Sequence, residues 1–200
     1  MSQNTVAEQS QISIIGLGNV LLGDDAFGPL VVEKFRCEYA YDPAVEVLDL
    51  GTPGLDLAPY LHGKKLVVIV DAVHSDSKPG TLNLYGESGV LDQQATLNLT
   101  AHDPGVGQCL AQLKLAGHAP SEVLVLGVVP ECCDLGGGIS DSVLAALAPA
   151  VKRITSLLNE HGFPCSRRVR QRRPNLWWQA LPDRVGLQGY KGKASFRSNV

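Results

Sequence analysis

Length, composition and charge limit what this chain can be. It has 200 residues, 44 % of them hydrophobic, which suits a single domain with one sizeable core. The polar first eleven residues lack a basic run, and no apolar stretch approaches the roughly 20 residues that span a bilayer. We therefore expect no membrane partner. The five cysteines show no C-x-x-C spacing, so we expect reduced thiols in a cytoplasmic protein.

The charge is distributed unevenly. Residues 166–200 hold nine basic and one acidic residue, a net charge of +8, whereas residues 1–165 hold eight basic and nineteen acidic residues, a net charge of −11. We therefore divide the chain into a polar extension (1–11), an α/β domain (12–162) and a basic, flexible tail (163–200). A docked segment around 175–181, carrying Trp177 and Trp178, is the one ordered part expected in this tail.

Short β-branched runs alternate with amphipathic stretches between residues 12 and 162, which is typical of βαβ units. Because the runs are apolar throughout, we predict a three-layer sandwich with a largely parallel central sheet of about five strands and helices on both faces. The predicted strands are 12–15, 45–48, 66–70, 81–85 and 123–129. The predicted helices are 27–39, 55–60, 104–116 and 140–160. Residues 86–100 are expected to form an exposed loop.

The first candidate site is the segment ISIIGLGNVLLGDDAFG at residues 12–28. A dinucleotide-binding fingerprint would need a third glycine where Leu21 stands, and the acidic pair Asp24 and Asp25 would repel a pyrophosphate. One of these two aspartates is expected to cap the following helix. Asp49, after the second strand, could bind a ribose, so nucleotide binding stays open as an alternative.

Two further candidate residues follow from the positions of strands and helices. Asp71 directly follows the buried run LVVIV and should lie at the carboxyl end of its strand, where α/β sheets bind ligands. His102 precedes a predicted helix, and a helix N-terminus disfavours the cationic imidazole, which leaves a nitrogen free to bind a proton or a metal. Together with Asp25 these residues would form an N/O ligand set for a borderline divalent metal, although spacing alone does not show that they converge.

Five segments together resemble the [NiFe]-hydrogenase maturation endopeptidases, which trim the C-terminal extension of the hydrogenase large subunit. The segments are GLGNVLLGDDAFG, DLGTPGLDL, VDAV, AHDPG and LGVVPE, in that order within residues 12–160. The resemblance implies that Asp25, Asp71 and His102 are the metal-recognising and catalytic residues. It also implies that Asp49, Gly51 and Gly54 take part in substrate recognition.

The resemblance further implies that the immature large subunit is the partner and that nickel is carried by this substrate rather than bound permanently. The water could be activated by nickel or by one of the two carboxylates. The alternatives are a non-catalytic nickel-binding assembly protein and, third, a nucleotide-binding α/β domain. Nucleic acid is not expected as a partner, and the basic tail is expected to dock on an acidic partner surface.

Overall fold

The computed structural model describes residues 10–91, 98–99, 105–176 and 178. Its strands are β1 (Ile12–Leu17), β2 (Tyr39–Ala40), β3 (Val45–Gly51), β4 (Leu66–His74), β5 (Leu82–Gly86), β6 (Asn98–Leu99), β7 (Val123–Val128) and β8 (Ser166–Arg167). Its α-helices are α1 (Phe27–Glu38), α2 (Ala58–Leu61), α3 (Glu87–Leu91), α4 (Gly105–Leu115) and α5 (Asp141–Glu160). Two 3₁₀ turns, Gly23–Ala26 and Gly54–Leu57, precede α1 and α2.

The central sheet has the strand order β3-β1-β4-β7-β5. β1, β3, β4 and β7 run parallel, and β5 pairs antiparallel with β7. Side chains of β4 alternate between two cores: Leu66, Val68 and Val70 pack in the core of α1 and α5, whereas Ile69 and Val73 pack in that of α4. The sheet is therefore covered on both faces, which confirms the predicted largely parallel three-layer α/β fold.

Several predicted details differ from the observed elements. The segment 86–100 was expected to be a loop, yet it contains α3 and the strand β6, which pairs with the end of β4. Elements of two to five residues leave no periodic pattern that a sequence could reveal. The expected aspartate cap of α1 is also wrong, because Asp24 and Asp25 lie inside the 3₁₀ turn and Ala26 occupies the N-cap.

The described part of the segment 163–200 packs on the domain. β8 pairs antiparallel with β2, directly after α1, and Trp178 is buried in the core shared by α1 and α5. The predicted docked segment is thus seen at Asn175, Leu176 and Trp178, whereas Trp177 and residues 179–200 lie outside the described residues. Among the helices that the structure describes, none has the length and apolar character needed to cross a membrane.

Candidate functional site

Glycines allow the start of α1 to pack directly against the ends of β1 and β4. A Cβ atom at Gly28 would lie 2.1 Å from the Leu17 carbonyl oxygen and 2.3 Å from the Val70 carbonyl oxygen. Gly18 has a φ of +129°, and a Cβ atom there would lie 1.9 Å from the carbonyl oxygen of Asp25. Only glycine fits at these close approaches. The turn that carries Asp25 is therefore held against Gly18, and the start of α1 is held against Val70, the residue before Asp71.

Asp25 lies in the 3₁₀ turn between β1 and α1 and is only 1 % exposed. The backbone N–H of Asn19 donates a hydrogen bond to its Oδ2 atom over 2.7 Å. This bond orients the carboxylate toward the carboxyl edge of β1. The turn itself packs against β4.

Asp71 lies on the next strand of the sheet, and it too is 1 % exposed. β4 continues to His74 rather than ending at residue 70, so Asp71 is within the strand and pairs with Gly127 of β7. The period of two along a strand places its side chain on the same face as Ile69 and Val73, the face that α4 covers. The N–H of Ala72 donates to Asp71 Oδ1 over 2.7 Å.

Asp49 and Gly51 lie at the end of β3, on the other side of β1. The N–H of Gly51 donates to Asp49 Oδ1 over 3.2 Å, and the N–H of Gly18 donates to the Gly51 carbonyl over 2.9 Å. A cleft of about 340 Å³ opens here between the Gly18–Asn19 turn and these two residues. Gly54 has a φ of +58°, and a Cβ atom there would have nothing within 4 Å, so the space around Gly54 is open.

His102 lies outside the described residues, as does the segment 100–104 that contains it. Within the described ranges, no three His, Cys, Asp or Glu side chains form a group that could hold a metal ion. Asp25, Asp49 and Asp71 nevertheless share one edge of the sheet, because they lie in the turn after β1, near the end of β3 and near the end of β4. The membership of His102 in this site stays a prediction.

Asp24 has a role that sequence reasoning missed. Its side chain is fully buried and accepts four hydrogen bonds from the segment between β7 and α5. The donors are the Glu131 N–H (2.8 Å), the Cys132 N–H (3.1 Å), the Ser140 N–H (2.6 Å) and the Ser140 hydroxyl (2.9 Å). Asp24 thus fixes this segment against the turn that carries Asp25. In the sequence, the one signal for this role was that Asp24 is a second aspartate beside Asp25 and has no place in the predicted ligand set.

Cys133, in the segment that Asp24 holds, lies in the electrostatic field of the site. Burial, followed by the nearby Asp25 and Asp24 carboxylates, raises the pKa of its thiol to about 11. The thiol therefore stays protonated at neutral pH, where it is a poor nucleophile.

A larger cleft, of about 990 Å³, opens at the opposite edge of the sheet. Gln11, His62 and Lys65 are among the residues that line it, and Asp25, Asp49 and Asp71 are not. In parallel α/β sheets ligands bind at the carboxyl ends of the strands. The candidate site is therefore the one at the carboxyl edge, despite the larger volume of the other cleft.

Comparison with known proteins agrees with this fold. The profile of the hydrogenase maturation protease family matches residues 29–157. The chain is 31 % identical to the hydrogenase 2 maturation protease of Escherichia coli over 153 residues, 76 % of this chain and 93 % of that protein. It is 30 % identical to the hydrogenase expression/formation protein HupD of Bradyrhizobium diazoefficiens, over 82 % of this chain and 86 % of that protein.

Solved structures show the same relationship. The hydrogenase maturating endopeptidase HybD from E. coli superposes with a TM-score of 0.74 and 30 % identity, covering 79 % of this chain and 98 % of that chain. The [NiFe] hydrogenase maturation protease HybD from Thermococcus kodakarensis gives a TM-score of 0.60 at 29 % identity, covering 74 % and 98 %. This chain therefore belongs to the hydrogenase maturation protease family. It is a hydrolase, an endopeptidase of hydrogenase maturation.

Proposed function

We propose that this endopeptidase removes the C-terminal extension of a [NiFe]-hydrogenase large-subunit precursor after nickel has been inserted. The observation that carries the proposal is the burial of Asp25 and Asp71, two carboxylates from separate elements, at one carboxyl edge of the sheet. Taking carboxylates out of water is unfavourable unless charge or hydrogen bonds compensate, and a divalent cation compensates strongly.

Nickel in this proposal is part of the substrate and acts as its recognition element. Carboxylate oxygens and an imidazole nitrogen are suitable ligands for Ni²⁺, and Asp25, Asp71 and His102 would supply them. Binding the substrate's nickel would hold the scissile bond beside the same side chains, so that proximity contributes much of the rate. Asp25 or Asp71 would act as general base, or the nickel as Lewis acid, toward the attacking water.

Asp49, Gly51 and Gly54 are proposed to receive the precursor chain. Asp49 lines the cleft beside the Gly18–Asn19 turn, and the open space around Gly54 leaves room for a peptide. We also propose that the basic tail docks on an acidic surface of the precursor, which would add affinity outside the site. All five cysteines are free thiols, as expected if the enzyme acts in the reducing cytoplasm.

The test is to incubate the purified protein with a nickel-loaded and a nickel-free precursor and to measure the precursor mass. We expect loss of a C-terminal peptide from the loaded form alone. Asp25→Asn, Asp71→Asn and His102→Ala should each lower the rate at least about 100-fold, whereas the exposed controls Asp76→Asn and His118→Ala should not change it.

The outcomes separate the proposal from its alternative. A precursor that binds but keeps its mass would favour a nickel-binding assembly role over proteolysis of this substrate. Cleavage of the nickel-free precursor at the same rate would remove the metal from recognition. Normal processing by the His102→Ala variant would remove that residue from the site.

A further inference from the structure

The segment that follows α5 runs back across the carboxyl end of α1 and is held there by backbone hydrogen bonds. β8 pairs with β2 through Arg167 and Tyr39. The N–H of Arg168 donates to the Glu38 carbonyl over 2.7 Å, and the N–H of Arg172 donates to the Cys37 carbonyl over 3.1 Å. These two bonds use main-chain atoms, and one side chain adds to them, because Arg168 Nε donates to the Arg36 carbonyl over 3.3 Å.

A second set of contacts fixes the end of this segment. The N–H of Asn175 donates to Glu33 Oε1 over 2.6 Å, and Glu33 is a largely buried residue of α1. Trp178 is only 4 % exposed and packs in the core shared by α1 and α5. The stretch between β8 and Trp178 is therefore attached at both ends.

The stretch is strongly basic, and apart from Arg168 its arginine side chains are exposed. Four of them are exposed and define an arginine strip, namely Arg167, Arg170, Arg172 and Arg173. Among the described residues no member of the strip forms an ion pair. The acidic residues nearest along α1 are already paired, Glu38 with Lys34 over 2.5 Å and Glu33 with Arg36 over 3.4 Å.

We propose that the arginine strip is a docking site for a carboxylate-rich segment of a partner protein. Guanidinium groups bind carboxylates through two parallel hydrogen bonds and lose little hydration in doing so. A strip fixed by its backbone has already lost the chain entropy that binding would otherwise cost. The net charge of −11 on residues 1–165 repels an extended polyanion, which favours a short acidic peptide segment over nucleic acid.

The location of the strip makes it an accessory surface of the enzyme rather than part of its site. The strip contacts the carboxyl end of α1, while Asp25 precedes the amino end of this twelve-residue helix, so about 18 Å of helix separates them. The strip also follows residue 157, where the family match ends. On the proposed function, the partner is the precursor itself, and the strip binds an acidic segment of it away from the scissile bond.

The experiment compares two variants that each remove four positive charges from the same tail. The first changes Arg167, Arg170, Arg172 and Arg173 to Gln, and the second changes Arg184, Lys191, Lys193 and Arg197 to Gln. Binding of a fluorescent poly-glutamate peptide is measured by anisotropy at low and high salt, beside a single-stranded oligonucleotide of equal charge. Thermal unfolding of both variants checks that each is folded.

We expect the strip variant to bind poly-glutamate about tenfold more weakly than the wild type, the control variant to bind normally, and the affinity to fall as salt rises. An equal loss of poly-glutamate affinity in both variants would mean that binding depends on the diffuse charge of the tail, which would overturn the proposal. The proposal would also be overturned if the wild type did not bind poly-glutamate, or if it bound the oligonucleotide more tightly. With the precursor, the strip variant should raise KM and leave kcat unchanged. The anisotropy result does not depend on cleavage, so a failure of the proposed function is recognised separately.

Discussion

Replacing Asp24 should destabilise the enzyme more than replacing any exposed aspartate, because Asp24 is a fully buried acceptor of four hydrogen bonds. Each hydrogen bond to a charged group contributes about 1.5–3 kcal/mol, and the contributions are not additive. In Asp24→Ala, three backbone N–H groups lose their side-chain acceptor, while the Ser140 hydroxyl can still bond to Ser142 Oγ, 2.9 Å away. We expect the free energy of unfolding to fall by about 3–5 kcal/mol.

Asp24→Asn should be less severe but still costly. The amide keeps one acceptor oxygen, while its NH₂ group must face a donor, either the Ser140 N–H or the N–H groups of Glu131 and Cys132. A loss of about 2 kcal/mol is expected for this mismatch. The matched control is Asp76→Ala, an exposed loop residue whose replacement should change stability by less than about 0.5 kcal/mol.

Urea unfolding followed by circular dichroism measures these stabilities, and hydrogen exchange tests the mechanism directly. In Asp24→Asn the amides of Glu131, Cys132 and Ser140 should exchange faster, while those of β4 keep their protection relative to global unfolding. The reasoning is refuted if Asp24→Ala costs no more than Asp76→Ala. Unchanged protection of the three amides would refute it as well.

Three further predictions concern packing, pH and the C-terminal segment. Gly28→Ala should destabilise the fold by more than about 3 kcal/mol, because its Cβ atom would meet backbone oxygens at 2.1 and 2.3 Å, whereas Gly86→Ala, with nothing within 4 Å, should cost under about 1 kcal/mol. The Glu122 carboxylate raises the pKa of His161, so the pair stabilises the folded state while His161 is protonated. The stabilisation is complete below the pKa of His161 in the unfolded state and is lost as pH rises through its higher pKa in the folded state. Glu122→Gln should therefore cost about 0.2–1 kcal/mol at pH 5.5 and less at pH 8.5 in urea titrations, and an equal cost at both pH values would contradict the assignment. Trp178→Ala should cost about 3 kcal/mol and speed tryptic cleavage in the arginine strip, and unchanged proteolysis would show that the anchor is not needed.

The fold was largely predictable because its signal is local and repeated. Apolar runs such as LVVIV at 66–70 are buried on both faces, and this requires helices on both sides of a parallel sheet. The spacing of Ser140 and the apolar residues after it predicted α5, and the serine is its N-cap, accepting from the Val143 N–H over 3.3 Å. The extension of β4 to His74 was not predictable, since the pairing that continues it comes from β6 and β7.

The candidate site was predictable only in part. Motif resemblance selected Asp25, Asp71 and His102, and the first two are buried in the turn after β1 and near the end of β4, both at the carboxyl edge of the sheet. The assignment of His102 and the catalytic roles stay predictions. The function of Asp24 was not visible, because three of its four partners are backbone N–H groups, which every residue except proline possesses and no sequence pattern marks.

By itself the sequence determined the class of fold and, through its motifs, the family. These features depend on the period of apolar residues and on residue types at fixed spacing, both of which are properties of neighbours along the chain. Only the tertiary structure decided that Asp24 ties the turn to a segment more than 100 residues away and that the arginine strip is fixed on α1. Such contacts join residues distant in sequence through main-chain atoms, so their partners are defined by the folded geometry rather than by side-chain identity.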